Sequence, residues 1–363
     1  MGMTKETWKT LCGIRVGDMK DPDPDKRGLV GFVDLPAQEV GPEDVKIKIA
    51  YCAICGSDPH TVGGTFGHKQ GSTDPIPLGH EVSGIIVELG EKATTKGLKV
   101  GDRVGGNFLH FCGTCYYCTN GQQQFCVNRG RYNRPGDAPY LVWHESQVYK
   151  LPDNISLKTG CLLEPMSIII RMMDKCRVKA GMRVCVCGGS PIGLMAVQCL
   201  SMYGATALTL IEPIENRRDI AVKYGADYTI DPVNEDQVAK AMEYTGGRGY
   251  DVVLDCSGSV RAVPELLKIT AKGGLVVYGA QYPNDYILPF ELNKYLYFNE
   301  ITMTGVFVAP YAYPRALQML SRMHLDELTE TVFPLDQGVE AFAAQLTGKY
   351  PKILIKCNED IDE

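Results

Sequence analysis

The chain has 363 residues, 45% hydrophobic and 22% charged, with a formal net charge of −6. That length predicts about two domains with buried cores. The acidic balance, with no basic stripe, argues against a nucleic-acid or anionic-membrane binder.

The opening "MGMTKETWKT" lacks the apolar core of a secretory signal. Glu6 breaks the myristoylation pattern that Gly2 begins. Arg171 interrupts the apolar run "IIIRMM", so no membrane span is expected and the cytoplasm is the expected location. The 14 cysteines are then expected as buried thiols or metal ligands rather than disulfides. Cys185, Cys187 and Cys199 lie in apolar segments and are read as core.

In chain order, the first 150 or so residues read as β-rich, with β-branched runs at "VKIKIAYCAI" and "VSGIIVELG". From about residue 180 strands and helices alternate. "RVCVCG" predicts a strand, "GLMAVQCLSMYGA" a helix, "ALTLIE" a strand and "NRRDIAVKYGA" a helix. "YDVVLDCSG", "GGLVVYGA" and "ITMTGVF" continue the rhythm, which is that of a parallel sheet with crossover helices. The last 55 residues predict a helix, the strand "ETVFPL", the helix "GVEAFAAQL" and the strand "KILIKC".

The segment Gly188-Gly189-Ser190-Pro191-Ile192-Gly193 follows a strand and opens a helix. It matches a dinucleotide fingerprint except at Ser190, a residue small enough for close approach and able to donate to a phosphate. Backbone amides at the helix start would face a pyrophosphate. Glu212 ends the next strand, where an acid binds ribose hydroxyls and disfavours a 2′-phosphate, so NAD is expected over NADP. Arg217 and Arg218, just beyond, are the residues that could instead hold a phosphate.

Cys112, Cys115, Cys118 and Cys126 fall in one polar loop, "CGTCYYCTNGQQQFC". Four thiolates so spaced suit a closed, structural tetrahedral zinc, with iron–sulfur ligation as the rival. A zinc ribbon for nucleic acid is disfavoured by the charge balance. A second donor set comprises Cys55 in "CGSDPH", His80 and Glu81 in "PLGHE", and Glu164 in "LLEPMS". One thiolate, one imidazole and a carboxylate make an open zinc site, with a position left for water or substrate.

This order of motifs, over about residues 25–357, resembles the zinc-containing medium-chain dehydrogenases, and "LEPMS" is most similar to their sorbitol (polyol) branch. The resemblance implies an α/β architecture. A GroES-like, barrel-type catalytic domain, residues 1–160 completed by 305–363, would accompany a doubly wound Rossmann domain, residues 161–304. The active site would lie in the cleft between them.

The resemblance further implies a catalytic zinc on Cys55, His80 and either Glu81 or Glu164, and a structural zinc on the four-cysteine lobe. NAD would contact Gly188, Ser190, Pro191, Ile192, Gly193, Glu212, Arg217 and Gly279. Ser57 would take the alcohol proton, His60 would pass it toward solvent, and Asp58 would steady His80. The implied reaction moves a hydride between NAD and a secondary alcohol (polyol, sugar alcohol or cyclitol), giving a ketone, in a homo-oligomer, tetramer or dimer. A threonine or amino-alcohol dehydrogenase, or another zinc-dependent alcohol dehydrogenase, is the alternative, and a nucleotide-binding structural relative the non-enzyme alternative. The segments 63–75 and 131–145, the latter departing from the family's Gly-Gly-Phe-Ala-Glu-Tyr-like run, are read as shaping specificity.

Overall fold

The computed structural model describes residues 6–65, 68–130 and 135–361. Residues 66–67 and 131–134, inside the two segments read as shaping specificity, lie outside the described residues, as do residues 1–5, where the targeting patterns were sought. The chain divides into two compact units, Met1–Pro165 with Tyr313–Glu363, and Met166–Ala312.

The first unit is built from β1 (Thr7–Arg15), β2 (Leu29–Pro36), β3 (Asp44–Ala53), β4 (Ile76–Pro77), β5 (Glu81–Leu89), β6 (Arg103–Gly106), β7 (Tyr140–His144) and β8 (Val148–Lys150). Its short helices are α1 (Ser57–Val62), α2 (Tyr116–Thr119) and α3 (Leu157–Gly160), and α4 (Leu163–Cys176) starts at its end. β3 shows why this region pairs as strand. Val45, Ile47 and Ile49 point inward while Lys46 and Lys48 alternate with them, the two-residue period of a half-buried strand. β3 pairs antiparallel with both β5 and β7.

The second unit holds β9 (Arg183–Cys187), β10 (Thr206–Ile211), β11 (Tyr228–Ile230), β12 (Tyr250–Asp255), β13 (Thr270–Tyr278) and β14 (Thr302–Gly305). Between them run α5 (Pro191–Met202), α6 (Glu215–Lys223), α7 (Gln237–Tyr244) and α8 (Val263–Ile269). The sheet order is β11-β10-β9-β12-β13-β14, and every pairing is parallel. Helices on a parallel sheet bury its central strands on both faces, so these read as unbroken apolar runs. Val184, Cys185, Val186, Leu208, Leu210, Val253 and Leu254 are fully buried accordingly. The order reverses between β9 and β12, the place where open parallel sheets bind nucleotides.

The chain then returns to the first unit with α9 (Tyr313–Leu320), α10 (Asp326–Thr329), β15 (Val332–Pro334), α11 (Gly338–Leu346) and β16 (Leu354–Lys356). β16 lies antiparallel beside β3, with Leu354 opposite Ala53. Among the described residues, no helix is long and apolar enough to cross a membrane.

Candidate metal and nucleotide sites

β3 delivers Cys55 to the start of α1, and the β4–β5 turn delivers His80 and Glu81. Gly79 makes that turn possible. Its φ is +83°, and a Cβ there would stand 2.6 Å from the backbone nitrogen of Asp137. Candidate ligand atoms of Cys55, His80 and Glu81 all lie within 4.8 Å of one another. Glu164, in the first turn of α4, is not in that group. It is buried, and burial pushes its carboxyl up to about 7, with His80 opposing and Glu81 adding to the rise.

Asp58 is fully buried. Its Oδ2 accepts from the Cys55 amide at 2.9 Å, and its Oδ1 stands 3.4 Å from His80 Nδ1. Burial works against a charged His80, but Asp58 and Cys55 outweigh it and hold the imidazole well above its ordinary range. The ring also packs on Phe108, centroids 4.8 Å apart. Ser57 is half-buried at the start of α1, its amide 3.4 Å from Cys55 Sγ, and His60 is exposed one turn on.

Two charged groups beside this cluster escaped sequence reading. Lys352, two residues before β16, is 2% exposed and lies 2.5 Å from Glu81 Oε2. A lone Lys in "GKYPKIL" carries no ligand signal. Asp137 is fully buried against Gly79, inside the segment that departs from the family's run. That departure was the one signal that could have found it.

In the lobe, the four candidate sulfurs also lie within 4.8 Å of one another. Cys112 Sγ is 3.9 Å from Cys118 Sγ and 3.5 Å from Cys126 Sγ. A zinc with sulfurs at about 2.3 Å needs tetrahedron edges of about 3.8 Å, so the set fits a single ion. Backbone amides of Thr114 and Cys115 hold the Cys112 thiol down to about 5, favouring the thiolate that binds metal.

In the second unit, Gly188 turns the chain at φ +97°, with Ser257 too close for any Cβ. Pro191 opens α5 behind Ser190, whose hydroxyl accepts from the Gly193 amide at 3.3 Å. The proton expected to serve a phosphate goes elsewhere: Ser190 Oγ donates to the Cys256 carbonyl at 3.1 Å. Ile192 continues α5. Glu212 follows β10 and is buried, accepting from the Gly189 amide at 2.5 Å and the Ile214 amide at 3.0 Å. Its carboxylate therefore sits on the glycine turn. Arg217 packs its Cβ near Gly189. Arg218 donates to the carbonyls of Glu212 and Pro213, each at 2.8 Å, and faces Asp231 at 3.5 Å. Gly279 donates to the Asp255 carbonyl at 3.0 Å, with Met172 against its Cα.

Residues 41–153 match the model of the alcohol dehydrogenase GroES-like domain, and residues 191–322 that of the zinc-binding dehydrogenases. D-arabitol-phosphate dehydrogenase of Enterococcus avium is 32% identical over 340 residues, 91% of this chain and 95% of that protein. The chain belongs to the zinc-binding alcohol dehydrogenase family. L-threonine 3-dehydrogenase of Pyrococcus furiosus is 32% identical over 332 residues, 89% of this dehydrogenase and 94% of the relative. Sorbitol dehydrogenase of Halalkalibacterium halodurans is 31% identical over 336 residues, 90% and 96% of the two chains. A solved zinc-binding dehydrogenase of Sinorhizobium meliloti 1021, bound to NADP, is 28% identical with a TM-score of 0.85, covering 97% of this chain and all of that one. This dehydrogenase is thus an oxidoreductase that uses zinc and a nicotinamide dinucleotide. The non-catalytic reading falls away.

Proposed function

We propose that the enzyme oxidises a secondary alcohol of the polyol class with NAD. The observation that carries it is the convergence of Cys55, His80 and Glu81, a three-donor set of the kind that leaves a fourth zinc position to water or substrate. Two relatives, D-arabitol-phosphate dehydrogenase and sorbitol dehydrogenase, support the polyol class. Bound zinc would supply a Lewis acid to the substrate hydroxyl, and the nicotinamide a hydride acceptor.

Within that reading, Cys55, His80 and Glu81 hold the catalytic zinc, while Glu164 stands by as a buried acid. Asp58 orients His80 through Nδ1. Ser57, beside Cys55, takes the hydroxyl proton, and exposed His60, three residues along the same turn, passes it to solvent. The first unit is the catalytic domain and carries the structural zinc. The second binds the dinucleotide along Gly188–Gly193, Glu212, Arg217 and Gly279. NAD is preferred because Glu212 occupies the ribose side and Arg218 is committed to carbonyls and Asp231.

A homo-oligomer is supported by the edge strand β14, near which Ile287, Leu292, Tyr297 and Phe298 are 65–85% exposed. Cytoplasmic residence is supported by cysteines that form no disulfide among the described residues.

Metal analysis combined with NAD and NADP reduction over sugar alcohols, their phosphates and threonine tests the proposal. Two zinc ions per chain and fastest turnover of a polyol with NAD are expected. A higher kcat/KM for threonine overturns the substrate class, and a higher kcat/KM with NADP overturns the cofactor preference.

A further inference from the structure

The loop after β13 is held down in an unusual way. Asp255, at the end of β12, is fully buried. Its Oδ1 accepts from the Ser257 hydroxyl at 2.6 Å and the Ser257 amide at 3.1 Å. Its Oδ2 accepts from the Gly258 amide at 3.4 Å and from the hydroxyl of Tyr282. Tyr282 belongs to the stretch 279–291, which runs from β13 without helix or strand. Its ring stacks on Tyr286, centroids 6.3 Å apart, and the Tyr286 hydroxyl donates to the Val260 carbonyl at 3.3 Å. Two tyrosine hydroxyls thus tether residues 279–286 to residues 255–260.

The tethered segment is not remote from the cofactor turn. Ser257 packs against Gly188, and Ser190 donates to the carbonyl of Cys256. A dinucleotide whose pyrophosphate sits on that turn, and whose adenosine ribose lies on the Glu212 side, must extend its other half across the ends of β12 and β13. Those ends are Asp255–Gly258 and Gly279–Tyr282.

We propose that Tyr282 is a positioning residue for the nicotinamide half of the cofactor, its hydroxyl anchoring the 279–286 segment on the Asp255 carboxylate. The proposal rests on the reading that the second unit binds NAD through its glycine turn. Ordering this segment in advance lowers the entropy that cofactor binding would otherwise lose there. The adenosine half, bound at Glu212, does not draw on it.

Tyr282→Phe keeps the half-buried ring and its stacking and removes only the hydroxyl. Binding of NADH and of ADP-ribose, which lacks the nicotinamide, is measured for the wild-type enzyme and the variant, with melting temperature alongside. Loss of a hydrogen bond to a charged group predicts a rise of about tenfold in the Kd for NADH, with that for ADP-ribose moving by less than about twofold. Equal weakening of both ligands, or no weakening of either, overturns the proposal while leaving NAD binding intact. A wild-type enzyme that binds neither ligand overturns the reading beneath it, and the proposal with it.

Discussion

Lys352 Nζ lies 2.5 Å from Glu81 Oε2, and both side chains are 2% exposed. Burial alone would strip the Lys352 proton, but the carboxylate beside it and the Cys55 sulfur hold it on and raise its affinity. The same glutamate is a candidate metal ligand, so lysine and zinc are alternative counter-charges for one carboxylate. Removing the lysine leaves Glu81 unpaired among Asp58, Asp137 and Glu164. Breaking a buried pair in this way costs about 3–5 kcal/mol. Lys352→Met should cost that much in chelator-treated protein and clearly less in zinc-loaded protein, as read by urea denaturation. Equal losses in the two states would show that the lysine supports the fold without reference to the metal.

Ser57 starts α1 beside Cys55, and Asp58 next to it is already committed to the Cys55 amide and His80. Ser57→Ala should therefore remove proton transfer without disturbing the ligands. A fall in kcat of about 10²–10⁴-fold is expected, with zinc content holding near two per chain. Unchanged activity rules out the relay.

The lobe makes a separable prediction. Cys112 Sγ receives the Cys115 amide and stands within reach of Cys118 and Cys126, so it ties three parts of the loop together. Cys112→Ser should lower zinc from two to one per chain and lower the melting temperature. The surviving ion should be the one whose removal abolishes turnover. Loss of both ions would mean that the two donor sets are not independent.

Burial pushes the Asp137 carboxyl up to about 7, the Asp58 carboxylate adds to this, and the Cys52 thiol works against it. The folded chain therefore keeps a proton that the unfolded chain, with a carboxyl near 4, has already released. Between about pH 4 and pH 7 the unfolded state binds fewer protons, so stability falls as pH rises through that window. The contribution is fully present below the unfolded pKa and gone above the folded one. Asp137→Asn should flatten this slope in metal-free protein and make it more stable than wild type at pH 8. A slope unaltered by the substitution would place its source elsewhere.

The contrast between Asp137 and the Rossmann strands shows what was legible in the sequence. "RVCVC" and "VVLD" announce themselves because strands buried on both faces need unbroken apolar runs. β11, with three residues, is too short to show any period, and β1, β2 and β4 were passed over inside a region read only as β-rich. Cys112 to Cys126 were legible because metal geometry confines their spacing in one loop. Cys55 lies far from the adjacent pair His80 and Glu81 in sequence, and only the order of motifs joined them. Lys352 and Asp137 stayed hidden because a buried charge is defined by its three-dimensional surroundings, which a single residue letter does not encode. Ser190 was noticed as small and polar, but the destination of its proton, the Cys256 carbonyl, depends on how β12 ends beside β9.

Glu212 joins two tasks that are separable by mutation. Its carboxylate accepts from the amides of Gly189 and Ile214, so it shapes the turn on which a pyrophosphate would rest. In the proposed NAD site it would also place negative charge where a 2′-phosphate would come. Of the two neighbouring arginines, Arg218 is already held by two carbonyls and Asp231. Glu212→Gln keeps an acceptor oxygen and removes the charge. It should raise kcat/KM for NADP while lowering that for NAD, narrowing their ratio by about tenfold, the worth of one hydrogen bond to a charged acceptor. Glu212→Ala removes the acceptors too, and should weaken both cofactors through the loosened turn as well as narrowing the ratio. A Gln variant that weakens NAD and NADP alike would mean that the acid acts only as a brace for Gly189, leaving discrimination to other residues.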